Sequence, residues 1–449
     1  MNMRVVISGA TIVNEERSFI GSVIIENEFI SEILEGEILQ PTDDDNFIDA
    51  RGLYLFPGVI DDHVHFREPG YEYKADIASE SRTAAAGGVT SYMEMPNTQP
   101  PTTSLDRLEE KFDLGKKKSR VNYSFYFGAT NDNVNILPLL DVHRVPGVKV
   151  FMGSSTGNLL VDNYESMRQI FEKSPLRIVA HCEDNAIIEQ NIKLFKKKYK
   201  GQNDFPVRYH SRIRNVDACY EASAKAVKLA KETGARLHVA HVSTAKELSL
   251  FDNSLPLAEK QITAEACIAH LMFTSEDYDS FGAKIKCNPS VKSPEDQQSL
   301  YEGLRNGLID VVATDHAPHL LNEKEGGALR AMSGMPLIQF SLVSMLELSD
   351  KGVLPLEHIP QLMSHNPATL FRIRKRGFIR QGYYADLVLV DPNANWHVGK
   401  GRYYTKCGWT PMDDRIFKWK VVRTIVNGVT AYVDGIVVDG VRGMELQFD

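Results

Sequence analysis

The sequence lacks the features that mark membrane proteins, disulfide-rich proteins and nucleic-acid-binding proteins. No run among its 449 residues approaches the ~20 apolar residues needed to span a bilayer. Its five cysteines are far apart and show no paired spacing, which argues against a disulfide framework and a zinc ribbon. Its 51 basic and 59 acidic residues give a net charge of −8, which disfavours nucleic acid as the main partner. We therefore expect reduced cysteines and neither a membrane nor a nucleic-acid partner.

The first residues also lack a secretory signal. Their apolar run, VVI at 5–7, is too short for the hydrophobic region of a signal peptide, and no small-residue cleavage site follows it. The cytoplasm is therefore the expected location. The densest basic segment that we weighed, KLFKKKYK at 193–200, stands alone in an acidic chain, so we interpret it as the solvated end of a helix rather than a phosphate-binding patch.

The two ends of the chain share a β-rich pattern. Short apolar runs separated by turn residues fill the first 55 residues and resume at about 385, where Asn427-Gly428 is a hairpin signal. This pattern predicts one small β-sandwich domain built from 1–55 and 385–449.

Residues 56–384 show a different pattern, in which apolar strand-like runs alternate with helical stretches. This alternation is typical of βα units around a parallel sheet, and eight such strands close a (β/α)₈ TIM-type barrel. The predicted strands are 55–60, 89–95, 121–127, 148–152, 176–180, 237–240, 262–265 and 309–314. The predicted helices between them include 76–86, 104–117, 164–173 and 216–232.

Polar side chains follow or lie within most of these strands. A barrel of this kind carries its active site at the carboxyl ends of its strands, so these residues should meet on one rim. The rim residues are His63, His65, Asn97, Lys149, His181, His241 and Asp315. Four histidines and a carboxylate are ligands that zinc accepts.

Each of these residues also has a simpler interpretation. From 13 histidines, about 0.4 His-x-His pairs are expected by chance, so His63 and His65 alone are a weak signal. His181 or His241 alone would more often only satisfy a hydrogen bond, and Asp315 could be a helix N-cap. Their shared position at strand ends favours a metal site.

Lys149 lies inside the apolar run VKVFM at 148–152. Burying an ammonium costs free energy, and an ammonium has no lone pair to offer a metal, so an unmodified lysine cannot be a ligand. A neutral amine that has reacted with carbon dioxide becomes a carbamate, whose two oxygens can bridge two metals. The alternative is an outward-pointing lysine whose stem packs on the barrel.

Two bridged metals are suited to hydrolysis of an amide, in which Asp315 would move the proton. Arg67 lies two residues beyond His65 and carries a guanidinium suited to a carboxylate. Asn97 and His319 could contact the same group, which predicts a small anionic substrate. A surface salt bridge for Arg67 and an Asx-turn for Asn97 are the alternatives.

Three motifs resemble the dihydroorotases of the cyclic amidohydrolase superfamily: DDHVHFREPG at 61–70, MPNT at 95–98 and TDHAPH at 314–319. The resemblance runs from the N-terminal strands to about Val433. It implies zinc-dependent, reversible cyclisation of N-carbamoyl-L-aspartate to L-dihydroorotate in pyrimidine biosynthesis. It implies two zinc ions per subunit, with Lys149 as the carboxylated bridge and Asp315 as ligand and acid/base. The other implied zinc ligands are His63, His65, His181 and His241, and the implied substrate contacts are Arg67, Asn97 and His319.

The sequence departs from this family at two places. Some members use an aspartate at the bridging position, and CNPSVK at 287–292 replaces a segment that more often has a second proline and an arginine. We therefore treat Asn288 as a further substrate contact to be tested. The loop GSSTGN at 153–158 has glycines and hydroxyls, including Ser155 and Thr156, that suit either a mobile lid or a static turn.

Two other functions remain open at this stage. Hydantoinases and allantoinases share the metal motifs but usually lack an arginine matching Arg67. A non-catalytic relative that serves as a subunit partner would typically have lost metal ligands, and all six are present here. A homodimer is compatible with the sequence, although the surface composition identifies no interface.

Overall fold

The structure is a computed structural model that describes residues 4–42, 46–153, 159–399 and 401–449. The predicted lid residues Ser155 and Thr156 lie outside the described residues. Within the described ranges, no helix is long and apolar enough to cross a membrane. All five cysteines are free, as the sequence predicts, and all five are buried.

The described residues form twenty strands and twelve α-helices, some of only a few residues. The strands are β1 Arg4–Asn14, β2 Arg17–Glu26, β3 Phe29–Glu35, β4 Asn46–Asp49, β5 Tyr54–Pro57, β6 Val59–Val64, β7 Val89–Glu94, β8 Asn122–Phe125, β9 Phe127–Gly128, β10 Val148–Phe151, β11 Ile178–His181, β12 Leu237–Val239, β13 Ile262–Cys267, β14 Val311–Ala313, β15 Leu387–Asp391, β16 Trp396–His397, β17 Ile416–Phe417, β18 Lys420–Val426, β19 Val429–Val433 and β20 Ile436–Val437. The helices are α1 Ile77–Ala86, α2 Leu105–Lys118, α3 Tyr164–Lys173, α4 Asn185–Lys198, α5 His210–Ile213, α6 Val216–Thr233, α7 Ile268–Met272, α8 Tyr278–Phe281, α9 Pro294–Arg305, α10 Ser341–Asp350, α11 His358–Pro360 and α12 Asn366–Phe371.

Both ends of the chain contribute to one nine-stranded sheet, in the order β20-β19-β18-β15-β5-β1-β2-β3, with β4 paired to β1. The alternation along β15 shows how this sheet meets the rest of the molecule. Leu387 and Leu389 lie in the apolar core of the sheet domain, whereas Val388 and Val390 point the other way into the main core. Successive side chains of a strand face opposite sides, so β15 joins the two cores. The structure confirms a sheet domain built from both chain ends, and its bounds at 1–55 and 385–449 stay a prediction.

The middle of the chain forms the predicted barrel. Strands β6, β7 and β8 pair in parallel, and β9 to β14 form a second parallel set in sequence order. β8 and β9 are separated by one residue and together occupy one strand position. The last gap is closed by a parallel bridge between Val64 and His316, where the His65 amide donates to the His316 carbonyl at 2.8 Å. Seven of the eight predicted strands are confirmed, with boundaries shifted by up to two residues. The first, 55–60, divides into β5 of the nine-stranded sheet and β6 of the barrel.

The predicted helices are also confirmed, and their starts follow from capping residues. Asp76 precedes α1 and accepts from the Ser79 amide, while Ser104 and Asn215 cap α2 and α6 in the same way. Such side chains satisfy amides that have no partner in the first turn. The basic segment at 193–200 lies at the exposed end of α4, which confirms its interpretation as a solvated helix end.

Candidate metal centre and active site

Four histidines lie in one continuous row at the carboxyl ends of β6, β11 and β12. The ring centres are 5.4 Å apart for His65 and His63, 5.3 Å for His63 and His241, and 4.7 Å for His241 and His181. All four side chains are buried. The structure therefore brings together four residues that are separated by up to 178 positions in the sequence (63 to 241).

Asp315 follows β14 and faces the first two histidines of the row. Its Oδ1 lies 2.9 Å from His65 Nε2 and 3.4 Å from His63 Nε2. Burial raises the pKa of Asp315, but His63 and His65 outweigh it and lower the pKa to about 2. Burial also lowers the pKa of His65 to about 4. An ionised carboxylate thus faces an imidazole that stays neutral at pH 7, and both forms can bind a cation.

Lys149 lies on β10 and points into the same space. Its side chain is fully buried, and among the described residues no group hydrogen-bonds its Nζ. Burial lowers the pKa of this ammonium, because a charged amine is poorly stabilised without water. The outward-pointing alternative is therefore wrong for this lysine.

The donor set fits a metal. The ligand atoms of His63, His65 and Asp315 lie within 4.8 Å of one another. His241 Nδ1 and Lys149 Nζ are buried polar atoms without a hydrogen-bond partner among the described residues. Buried polar atoms are normally paired, so these two need an explanation, and a bound cation or a modification of the lysine supplies one.

Glu265 is the fourth residue of β13 and lies behind the row of histidines. Its Oε1 lies 2.9 Å from His63 Nδ1 and accepts from the His241 amide at 2.9 Å. Burial raises the pKa of Glu265, but His63 and His238 lower it well below the ordinary value. A carboxylate that accepts from Nδ1 orients the ring and leaves Nε2 for a metal.

Asp61 connects the two strands on which the first ligands lie. Its Oδ1 accepts from the His63 amide at 3.2 Å, and its Oδ2 accepts from Thr314 Oγ1 at 2.6 Å. Thr314 directly precedes Asp315, so this carboxyl ties His63 to Asp315. Burial raises the pKa of Asp61 to about 7.

The predicted substrate residues lie beside the metal ligands. Arg67 is 9% exposed; its Nε donates to the Pro318 carbonyl at 3.0 Å, and its Nη2 lies 3.0 Å from His319 Nε2. Asn97 Oδ1 lies 2.7 Å from His65 Nδ1, so this amide also orients a candidate ligand. Arg67 is therefore a buried residue of the site, and its interpretation as a surface salt bridge is wrong.

The turn after Arg67 brings two of these segments into contact. Gly70 has φ +94°, and a Cβ at this position would lie 2.0 Å from the Gln99 carbonyl oxygen. Only glycine permits such a close approach of two backbones. The Pro-Gly pair therefore packs the Arg67 turn against the segment that carries Asn97.

Three residues of the site have left-handed backbones, with φ values of +73° for Arg67, +43° for His241 and +49° for Asp315. Residues other than glycine rarely adopt this conformation, and such positions cluster at functional sites. The strain here falls at strand ends where the chain turns to present a side chain to the cavity.

The candidate metal ligands and the predicted substrate residues line one cavity of about 360 Å³. It contains every site residue predicted from the sequence except Ser155 and Thr156. Asn288 lies on its wall, with Oδ1 3.1 Å from His210 Nε2. Ile188, Ile213 and Leu329 add apolar surface to its lining.

Known proteins match this chain over most of its length. A model of the Amidohydrolase family matches residues 54–431. A protein of Halobacterium salinarum named Dihydroorotase is 33% identical over 408 residues, which cover 90% of this chain and 92% of that protein. A protein of Methanosarcina acetivorans with the same name is 34% identical over 412 residues, covering 88% of this chain and 85% of its own.

Among solved structures, the L-hydantoinase (dihydropyrimidinase) from Arthrobacter aurescens matches with a TM-score of 0.89. The identity is 27%, and the match covers 98% of both chains. A D-hydantoinase structure at 23% identity has a TM-score of 0.85 and covers 97% of this chain and 96% of its own. At this identity the likeness shows the fold alone.

Proposed function

The chain belongs to the amidohydrolase family, and we propose that it is a dihydroorotase, a metal-dependent cyclic amidohydrolase that interconverts N-carbamoyl-L-aspartate and L-dihydroorotate. The observation that carries this proposal is the buried guanidinium of Arg67, which faces the cavity beside the candidate metal ligands. Among the described residues no carboxylate forms an ion pair with this cation, which is therefore suited to a substrate carboxylate.

The residues that would hold two zinc ions fall into two adjoining groups. His63 and His65 lie next to Asp315, while His181 and His241 lie at the other end of the row. Lys149 faces the same cavity, and its carboxylated form would supply the anionic oxygens for a bridge. When bound, the zinc ions would activate a water molecule and polarise the amide carbonyl.

Asp315 would carry the proton of the reaction on its carboxylate. Its lowered pKa keeps it ionised at neutral pH, so it can accept a proton from the attacking water during ring opening. It would then pass that proton to the leaving ring nitrogen. In the direction of ring closure the same carboxylate would take the proton from the ureido nitrogen.

The substrate carboxylate would bind beside the row of histidines, near Arg67. Arg67 and His319 present their nitrogens to this region, and Asn97 and Asn288 add amide groups. Burial of Arg67 strengthens its attraction for an anion, because little water screens the charge. A neutral ring such as hydantoin would leave this charge unpaired.

A hydantoinase-type activity is the second candidate, because the solved structure from Arthrobacter aurescens carries that name. Turnover of dihydroorotate, hydantoin and allantoin by one preparation separates the two. Dihydroorotate should be opened much faster than the other two rings, and rapid hydantoin opening without dihydroorotate turnover would refute the proposal. A cytoplasmic location and a homodimer stay predictions of the sequence.

A further inference from the structure

His319 lies among more hydrogen-bond donors than a neutral imidazole can accept. Its Nδ1 is 3.1 Å from Lys74 Nζ, and its Nε2 is 3.0 Å from Arg67 Nη2 and 3.1 Å from the Ser333 carbonyl oxygen. Burial, Arg67 and Lys74 lower the pKa of His319 far below its ordinary value, so the ring is neutral. One nitrogen therefore carries the single proton, and the other carries the lone pair.

The contacts of Lys74 indicate which ring nitrogen of His319 carries the proton. The side chain is 3% exposed, and its Nζ lies 2.9 Å from Glu323 Oε1 in addition to His319 Nδ1. An ammonium has three donors and no acceptor, so a hydrogen bond from Lys74 requires the lone pair on Nδ1. Arg67 is also donor-only, but the Ser333 carbonyl oxygen, 3.1 Å from Nε2, needs an N–H to accept, so the proton sits on Nε2.

This tautomer has a consequence for Arg67. The protonated Nε2 cannot accept from Arg67 Nη2, although the two nitrogens are only 3.0 Å apart. Two N–H donors thus lie side by side at the cavity wall. A carboxylate oxygen placed between them could accept from Arg67 Nη2 and share the Nε2 proton of His319 with the Ser333 carbonyl oxygen.

We propose that Lys74 is a positioning residue that holds His319 in the tautomer protonated at Nε2, so that His319 and Arg67 present paired donors to the substrate carboxylate. This inference rests on the proposed function for the identity of the anion. Lys74 itself does not line the cavity, so it would affect substrate binding only through its contact with His319.

Loss of Lys74 would allow the opposite tautomer. Glu323 Oε2 lies 3.5 Å from His319 Nδ1 and could accept a proton placed there. His319 Nε2 would then accept from Arg67 Nη2, and the two residues would satisfy each other. The carboxylate would lose one donor and would have to compete for the second.

The test combines the tautomer with kinetics. Histidine-selective ¹⁵N NMR of the metal-loaded enzyme reads the protonated nitrogen directly, and His319→Gln assigns the signal. In the wild type we expect protonation at Nε2, and protonation at Nδ1 would overturn the inference whatever the activity. Lys74→Met should shift the population toward Nδ1–H.

The kinetic arm follows the same variant. We expect Lys74→Met to raise KM for dihydroorotate about tenfold to hundredfold with little change in kcat, the loss expected for one hydrogen bond to a charged group. Bound zinc should be unchanged, and Lys74→Arg should restore part of the affinity because it is also donor-only. Lys246→Met, which removes an exposed lysine paired with Asp217, is the control.

The outcomes separate this inference from the proposed function. A wild-type KM in Lys74→Met, or loss of zinc, would overturn the positioning role. A wild-type enzyme without dihydroorotate turnover overturns the proposed function, and the tautomer of His319 then decides the inference alone.

Discussion

Replacing Glu265 with Gln tests how far the residues behind the row of histidines set metal affinity. The substitution keeps the shape and one oxygen but removes the charge that faces His63 Nδ1 at 2.9 Å. A hydrogen bond to a charged group contributes about 1.5–3 kcal/mol, against about 0.5–1.5 kcal/mol for a neutral one. The difference of about 1–1.5 kcal/mol corresponds to roughly a tenfold loss of affinity.

The assay is a zinc titration of the metal-free variant against a competing chromophoric chelator, with dihydroorotate turnover measured on the same protein. We expect roughly tenfold weaker binding of one zinc ion and a parallel fall in activity at limiting zinc. Glu247→Gln is the matched control, because Glu247 is also buried but accepts from Ser223 and Thr244 instead of a candidate ligand. Wild-type zinc affinity and activity in Glu265→Gln would show that the Glu265 charge does not set metal affinity.

Three further predictions concern other parts of the site and the core. Lys149→Ala should lose activity and bound metal, and short carboxylic acids should restore part of both; wild-type turnover by this variant would show that the lysine is not needed. Arg67→Ala should lower kcat/KM about 30- to 5,000-fold, the cost of truncating a buried charged partner, with bound zinc intact; loss of metal would mean that its role is misassigned. Burial lowers the pKa of His270 to about 4, so below pH 6.5 the unfolded state takes up a proton that the folded state does not, and stability falls. As the pH falls from 6.5 to 4, this histidine should lower the free energy of unfolding by up to about 3 kcal/mol, measured by urea unfolding of the metal-free protein. An equally steep loss of stability in His270→Gln would contradict the assignment.

The barrel and most of the site could be predicted because parallel strands bring their carboxyl ends to one rim. That rule selected His181 and His241, which have no motif around them, from their positions at strand ends alone. Arg67 was found by its spacing from His65. For these residues, position along the chain was sufficient to predict position in space.

The residues behind the site were missed for different reasons. Glu265 ends the predicted strand 262–265, so the same rule would have found it as a rim carboxylate. Asp61 and Lys74 carry no such signal, because their roles depend on contacts with Thr314 and His319, more than 240 residues away. The tautomer of His319 follows from three-dimensional contacts that no spacing encodes.

A metal count and a dihydroorotate assay on one purified sample together test whether this protein is a zinc-dependent dihydroorotase. We expect two zinc ions per subunit and reversible conversion of dihydroorotate at a rate far above that for hydantoin or allantoin. A zinc-free protein that stays inactive after zinc and bicarbonate are supplied would contradict this expectation, as would a zinc-loaded protein that opens hydantoin but not dihydroorotate.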